Sequence, residues 1–108
     1  MTAEEILAKI QADVAAGRYF IKSHVVFHSF EEGFEEVHVR EAIQHAKVLE
    51  IYEDQRRCLL CGRFMWSARR KDHLHIVAEF GTETYTDFIT AYIPRAPEWE
   101  NPFRRGRK

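Results

Sequence analysis

Residues 39–53 read VREAIQHAKVLEIYE, and the spacing of the apolar side chains changes within this stretch. Val39, Ala42 and Ile43 recur at intervals of three and one, which is typical of one face of a helix. After Lys47 the apolar and polar residues alternate, which is typical of a strand. The stretch therefore predicts that a helical first part of the chain gives way to a sheet.

Three helices are predicted before that change, because apolar residues recur at helical spacing in each segment. The first segment has a capping box, Thr2 with Glu5, at its start and Gly17 just after its end. Ser23 is the expected cap of the second helix, which breaks near Gly33. The predicted helices cover residues 2–16, about 23–33, and about 35–46.

Four segments typical of strands follow, of which the second is apolar on both faces and cannot be oriented, and the short polar links between them favour antiparallel hairpins. Pro94 and Pro97 end the last segment, and Trp99 and Phe103 are expected to fold the tail back onto the body. The predicted strands cover residues 48–53, 58–65, 74–80 and 85–93.

These patterns predict an α+β fold in which two to three N-terminal helices pack on one face of a four-stranded antiparallel sheet. With 108 residues, 45% of them hydrophobic, the chain is expected to form a single domain. It contains no stretch of about 18 consecutive apolar residues, and its 2 cysteines are too few for a disulfide framework. We therefore expect a cytoplasmic location and no contact with a membrane.

The charged residues are unevenly distributed although the net charge is only −1. Residues 1–55 contain 5 Lys or Arg and 11 Asp or Glu, whereas residues 56–108 contain 11 Lys or Arg and 6 Asp or Glu. Basic clusters of this kind suit a polyanion, because neutralised phosphates release their counterions. A basic surface that only keeps the protein soluble is the equally open alternative.

The alternation also assigns neighbouring strand residues to opposite faces of the sheet. His73 and His75 share a face, with side chains about 6 to 7 Å apart. Acid, imidazole and phenol groups are expected to converge there, on the open side of the sheet. The predicted core set is Leu49, Ile51, Leu74, Ile76, Ala78, Phe80, Ile89, Ala91 and Ile93. The opposite set is Glu50, Tyr52, His73, His75, Glu79, Thr90 and Tyr92.

Other pairs of polar or reactive residues have simpler interpretations. Cys58 and Cys61 are three apart on a strand, so they point to opposite faces and are expected to be packing residues. His24 and His28 share one face of a helix, but no HExxH motif accompanies them. A metal site that joins these histidines with those at 73 and 75 stays open as an alternative, as do two histidines with no function beyond packing or solvation.

Several landmarks in order resemble the bacterial family known as domain of unknown function 4258, over about residues 21–99. The landmarks are the Ser23-His24 opening, the helix from Phe34 to Ile43, the Val48-x-Glu50-x-Tyr52 strand, a strand that ends in Gly62, the strand His75-Ile76-Val77, and Thr90-Ala91-Tyr92-x-Pro94 with Trp99. On this resemblance the single domain, 1–108, divides into an N-terminal helix, 1–17, a family-like core, 18–99, and a basic tail, 100–108.

Members of that family look like toxins of bacterial toxin–antitoxin pairs and are similar to the messenger-RNA-cleaving toxins RelE and MqsR. The resemblance therefore implies a RelE-like fold, RNA as substrate, and as partner a cognate antitoxin of the zinc-finger type encoded beside members of that family. The family pattern usually has arginines where this chain has His28 and Glu32. A carboxylate does not bind phosphate, so the second departure weakens the implied activity.

The resulting hypothesis is a metal-independent endoribonuclease that needs no cofactor and cleaves RNA by transesterification through the 2′-hydroxyl. Such a reaction needs a base, an acid, and cations or donors for the phosphorane, and imidazoles titrate near pH 7. The residues expected to be catalytic are His24, His75, Tyr92 and Glu50. Those expected to bind the substrate are Arg57, Arg63, Arg69, Arg70, His28, His73 and Tyr52.

The alternative is a non-catalytic module, a degenerate toxin that holds an antitoxin or a nucleic acid. An acidic antitoxin segment is the natural complement to the basic second half of the chain. Binding of RNA without cleavage products would select this alternative over the enzyme.

Overall fold

The computed structural model of the protein describes residues 1–106, and Arg107 and Lys108 of the expected basic tail lie outside the described residues. The helices are α1 (Ala3–Ala15), α2 (Ser23–Glu32) and α3 (Glu36–Gln44), and a single 3-10 turn covers Glu53–Gln55. The strands are β1 (Tyr19–Ile21), β2 (Ala46–Tyr52), β3 (Arg57–Ser67), β4 (Arg70–Glu79), β5 (Thr86–Tyr92), β6 (Trp99–Asn101) and β7 (Arg104–Arg105).

The main sheet has five strands in the order β1-β5-β4-β3-β2. The four predicted strands are antiparallel neighbours, as expected, and the α+β class with three helices is confirmed. The fifth strand, β1, is a correction, because it joins the sheet parallel to β5 with Tyr19 opposite Thr86. Three residues are too few to show a period of two, so the sequence gives no signal for this strand.

Local sequence signals fix the ends of the helices. The Thr2 hydroxyl accepts from the Glu5 backbone N–H at 3.1 Å, and the Glu5 carboxylate accepts from the Thr2 N–H at 2.8 Å. Gly33 ends α2 in the left-handed region with φ of 88°, where a side chain would be strained. The predicted capping box and the predicted break near Gly33 are therefore both confirmed.

The three helices pack on one face of the main sheet and bury the hydrophobic core between them. The approach of α3 to β3 is close, because a Cβ on Gly62 would lie 1.8 Å from the carbonyl oxygen of Ala42. The largest fully buried apolar side chains are Phe64, Phe88, Ile6, Ile10, Ile43, Leu59, Leu60, Leu74 and Ile76. No helix within residues 1–106 is both long and apolar enough to cross a membrane.

Two bulges correct the predicted core set. The register shifts between Val48 and Glu50 in β2, and between residues 77 and 78 of β4 opposite β5. Leu49 and Ile89 therefore have no partner in the ladder, and Val48 and Phe88 pack against the core instead. A bulge adds one residue to a strand and reverses the alternation beyond it, which a strict period of two cannot reveal.

Candidate functional site

The site of interest lies on the outer face, which we define as the face of the main sheet turned away from the helices. The registers place Cys61, His75 and Tyr92 side by side across β3, β4 and β5. Glu50 lies opposite Leu59 in the next row. The acid, imidazole and phenol groups singled out from the sequence thus do lie close together.

A C-terminal hairpin, β6 and β7 with the turn between them, covers part of this outer face. The Trp99 ring meets the His75 ring edge to face, with 4.3 Å between the ring centres. Nε2 of His75 lies 2.6 Å from the carbonyl oxygen of Pro102, and Nδ1 lies 3.2 Å from the Tyr92 hydroxyl. His75 is consequently 0% exposed.

These contacts fix the protonation of His75. The Pro102 carbonyl can only accept, so Nε2 carries the proton and donates it, and Nδ1 accepts from the Tyr92 hydroxyl. Burial lowers the pKa of His75 below that of a free imidazole, and burial raises the pKa of Tyr92. The pair is therefore neutral and fully hydrogen-bonded at pH 7.

Glu50 is held by the same hairpin. Its two carboxylate oxygens accept from Nε and Nη2 of Arg105, both at 2.8 Å, and the Tyr52 hydroxyl also donates to it. The hydrogen bonds from Arg105 lower the pKa of Glu50, while burial and the neighbouring carboxylate raise the pKa of Tyr52 to about 12. We call the six residues His75, Tyr92, Glu50, Tyr52, Trp99 and Arg105 the covered cluster.

The covered cluster differs from the expected open site. The sequence analysis placed His75 and Glu50 on a face exposed to RNA, but the hairpin occupies that position and uses the hydrogen-bonding groups of both residues. The tail does fold back through Trp99 and Phe103, as predicted. Acid–base chemistry at this cluster would require the hairpin to move first.

His24 and His28 lie on the other side of the sheet. Val25 of α2 packs into the core between the helices and the sheet, so α2 is separated from the outer face. The two rings lie 6.2 Å apart, and Nδ1 of His28 lies 3.9 Å from the Glu32 carboxylate. The structure does not bring His24 together with His75, which corrects the expected acid–base pair.

Glu32 has a structural contact at the position where the resembled family usually has arginine. Its Oε1 accepts from the backbone N–H of Ile93 at 3.1 Å, and this ties the end of α2 to the chain just after β5. An arginine at this position could not accept from the Ile93 N–H, because a guanidinium has hydrogen-bond donors only. The departure therefore has a local structural reason.

The predicted substrate-binding arginines fall into two groups. Arg57 lies 3.7 Å from the Glu79 carboxylate at the acidic end of the outer face, close to Asp87 in the same row. Arg69 and Arg70 are exposed at the β3–β4 turn, at the opposite end. The guanidinium of Arg70 lies over the Trp66 ring at 5.5 Å.

Near that turn, cations surround His73 and an aromatic ring. Arg63 is the cross-strand partner of His73, whose ring meets the ring of Phe103 with 5.2 Å between centres. Nζ of Lys47 lies 5.5 Å from the centre of the same Phe103 ring. Burial, together with the charges of Lys71 and Arg63, lowers the pKa of His73. We call Lys47, Arg63, Lys71, His73 and Phe103 the cationic cluster.

The cationic cluster has free charge and an available ring. No ion pair among residues 1–106 involves its lysines or its arginine. Phe103 is 46% exposed at the tip of the hairpin. The cluster can therefore offer unpaired cations, a neutral imidazole and an apolar ring to a ligand.

Sequence reasoning missed some of these residues. Lys47 precedes the bulge in β2, so simple alternation places it with Leu49 and Ile51 on the core side. Lys71 lies in the basic second half of the chain and Arg105 in the basic tail, but their places on the outer face depend on the hairpins. No local signal in the sequence marks Lys47, because the bulge that turns it to the outer face interrupts the period of two.

The two cysteines confirm the packing interpretation. Cys58 belongs to the core, and Cys61 lies on the outer face in the row of His75. Burial raises the pKa of Cys58 to about 12 and that of Cys61 to about 11, so both are inert thiols. Within the part of the chain that the structure describes, no three His, Cys, Asp or Glu side chains converge as metal ligands.

In comparisons with known proteins, no family model, no curated protein and no solved structure matches this chain. The resemblance to the toxin-like family therefore depends on the residues and their order alone.

Proposed function

We propose that this protein is a toxin-like module that binds single-stranded RNA with its cationic cluster and does not cleave it while the C-terminal hairpin is in place. The observation that carries the proposal is the group of unpaired cations around the exposed ring of Phe103. The RelE-like character of the fold belongs to the same proposal.

The chemistry of the cationic cluster suits a single strand better than a duplex. An exposed aromatic ring can stack on a base only when that base is not paired and stacked within a helix. The lysines and Arg63 would neutralise phosphates on either side of such a base. His73, kept neutral by its surroundings, has a ring nitrogen free to exchange hydrogen bonds with a base or a 2′-hydroxyl.

The rest of the outer face restricts the path that a bound RNA strand can take. At the far end Glu79 pairs with Arg57 and Asp87 pairs with Lys22, so the cations of these two pairs are already engaged by carboxylates. The RNA would therefore follow the β3–β4 turn with Arg69 and Arg70 rather than run along the whole face.

An endoribonuclease is the second candidate, and one observation favours it. A cavity of about 280 Å³ beside the hairpin is lined by Tyr92, Ile93, Arg95, Glu98, Trp99 and Arg105. It brings solvent to a phenol and two guanidinium groups, which are the donors that a phosphorane needs. In this candidate His75 becomes the base only after the hairpin has moved away.

As a toxin-like module the protein would have an antitoxin as partner. An acidic segment of that antitoxin would compete with RNA for the cationic cluster, since both bring negative charge. This proposal places both partners in the cytoplasm.

The test of the proposal is the binding of a fluorescent single-stranded RNA, followed by anisotropy at several salt concentrations. We expect Lys71→Gln to weaken binding and to reduce the salt slope by about 1. Phe103→Ala should weaken binding by about 1–3 kcal/mol. The matched control is Arg40→Gln on α3, on the other side of the sheet. An unchanged slope in Lys71→Gln would remove the cationic cluster from RNA binding.

A second measurement separates the two candidates. The same RNA is incubated with the full chain and with a Trp99→Ala variant whose hairpin is loosened, and the products are resolved on a gel. Intact RNA in both samples selects the binding module. Products that appear with Trp99→Ala and disappear when Tyr92→Phe is added select the nuclease.

A further inference from the structure

Helix α2 leaves a large apolar surface in contact with solvent. Phe30 is 84% exposed and Phe27 is 58% exposed, and Val26 beside them is also exposed. Only Val25 of this helix is fully buried in the core. Contiguous apolar patches of this kind are uncommon on monomeric proteins and mark surfaces that bind another protein.

The charges beside this patch are arranged along one flank of α2. Each residue of an α-helix turns by about 100°, so Phe27 and Phe30, three residues apart, point within about 60° of each other. His24 and Glu31 both point to one side of them. The flank therefore carries an imidazole toward the N-terminus of the helix and a carboxylate toward its C-terminus.

We propose that α2 docks on α2 of a second copy of this chain, with the two helices antiparallel about a two-fold axis. The two-fold axis passes between the two helices, perpendicular to both, at the level of residues 27 and 28. It reverses the direction of the helix and leaves the flanks of both copies on the same side of the pair. His24 of one copy then faces Glu31 of the second copy, and the contact occurs twice. The phenylalanines meet in the centre, where their apolar surface leaves water.

The charge pattern favours a second copy in this orientation. A parallel two-fold pair would put the two flanks on opposite sides, so that no His24 faces a Glu31, whereas the antiparallel pair brings each imidazole to a carboxylate and opposes the helix dipoles. A groove of about 160 Å³ between α2 and α3, with Val26 and Ser29 on its rim, is available for side chains of the second copy. The cationic cluster lies on the other side of the sheet, so the dimer leaves it free.

The first test measures the mass of the purified full chain by sedimentation over about a hundredfold range of concentration. We expect the mass to rise from monomer to dimer, and Phe30→Ser to weaken association at least about tenfold. Phe103→Ser is the matched control, since that exposed ring lies on the outer face, and it should dimerise normally. Circular dichroism checks that each variant is folded.

A charge exchange tests the orientation. His24→Glu should weaken association because it sets two carboxylates against each other, and Glu31→Lys should weaken it because the imidazole loses the carboxylate that it faces. The double variant restores opposite charges at both contacts and should recover association. A chain that is monomeric at every concentration, a dimer that survives Phe30→Ser, or a double variant that stays weak would each overturn the proposal.

Discussion

His73 and His75 lie two residues apart on the same face of the same strand, yet their surroundings differ completely. His75 lies beneath the C-terminal hairpin, and both of its ring nitrogens are hydrogen-bonded. His73 is half-buried near the tip of the hairpin, where its ring meets Phe103, and its cationic neighbours Arg63 and Lys71 form no ion pair within residues 1–106. The chemistry of a strand residue therefore depends on what covers it, and local sequence does not encode that cover.

The largest loss of stability is expected at Trp99, which fastens the C-terminal hairpin to the outer face. Trp99 is buried against His75 and under the guanidinium of Arg105, so Trp99→Ala should lower the free energy of unfolding by about 3 kcal/mol. Phe103→Ala, at the exposed tip of the same hairpin, should lower it by less than about 1 kcal/mol. Urea titration followed by circular dichroism measures both, and equal losses would contradict the distinction between covered and exposed parts.

The next largest difference in stability is expected between variants of His75 and His73. His75→Ala removes the partner of the Pro102 carbonyl and leaves a cavity under Trp99, so we expect a loss of about 2 kcal/mol. His73→Ala should lose less than about 0.5 kcal/mol of stability and should instead weaken RNA binding. Destabilisation of both variants by the same amount would show that the hairpin does not distinguish the two sites. Loss of cleavage in His75→Ala is therefore no clean measure of a catalytic role.

The ion pair that fastens the hairpin should have a smaller effect. Glu50→Gln keeps the size of the side chain but removes the charge that Arg105 binds, and Arg105 is largely exposed. We expect a loss of about 1 kcal/mol or less. Glu100→Gln is the matched control, since Glu100 pairs with Arg104 at 3.3 Å on the exposed side. If Glu100→Gln lowers the free energy of unfolding as much as Glu50→Gln does, the ion pair between Glu50 and Arg105 has no particular role in holding the hairpin.

The pH dependence is expected to be the smallest effect. Because burial lowers the pKa of His75, the unfolded chain takes up a proton first as the pH falls. The stability due to neutral His75 is therefore complete above about pH 6.5 and is lost as the pH falls toward the lowered pKa. His75→Gln should flatten this part of the pH profile of the unfolding free energy more than His73→Gln does. A larger flattening in His73→Gln than in His75→Gln would contradict the difference in burial between the two histidines.

Part of the fold was predictable because it depends on periodicity over many residues. Helix α1 with its Thr2 cap, helix α3 and the strand β4 repeat a local pattern several times. The long strand β3 was predictable as a bounded run of apolar residues, which is buried on both faces over most of its first half. The parallel strand β1 was not predictable, since its three residues gain a strand's geometry only by pairing with β5. The bulges at Leu49 and Ile89 were missed because they interrupt the period on which the prediction depends.

The candidate site was predictable only as a set of residues on one face. Alternation placed Glu50, His75 and Tyr92 together, and the aromatic residues of the tail indicated that it folds back. Alternation could not show that Pro102 and Arg105 use the hydrogen-bonding groups of that set. The predicted fold already put the helices on the opposite face, so the expected pairing of His24 with His75 required α2 to cross the edge of the sheet, and Val25 instead holds α2 in the core on the helix side.

The positions of the helices and of the four long strands, and the strand side chains that share a face up to each bulge, follow from the amino-acid sequence because they depend on the geometry of neighbouring residues. The enclosure of His75 and the cationic surroundings of His73 arise only when the chain is folded. The physical reason is that enclosure depends on contacts between residues far apart in the sequence, such as Glu50 with Arg105. The free energy of such contacts belongs to the folded chain as a whole.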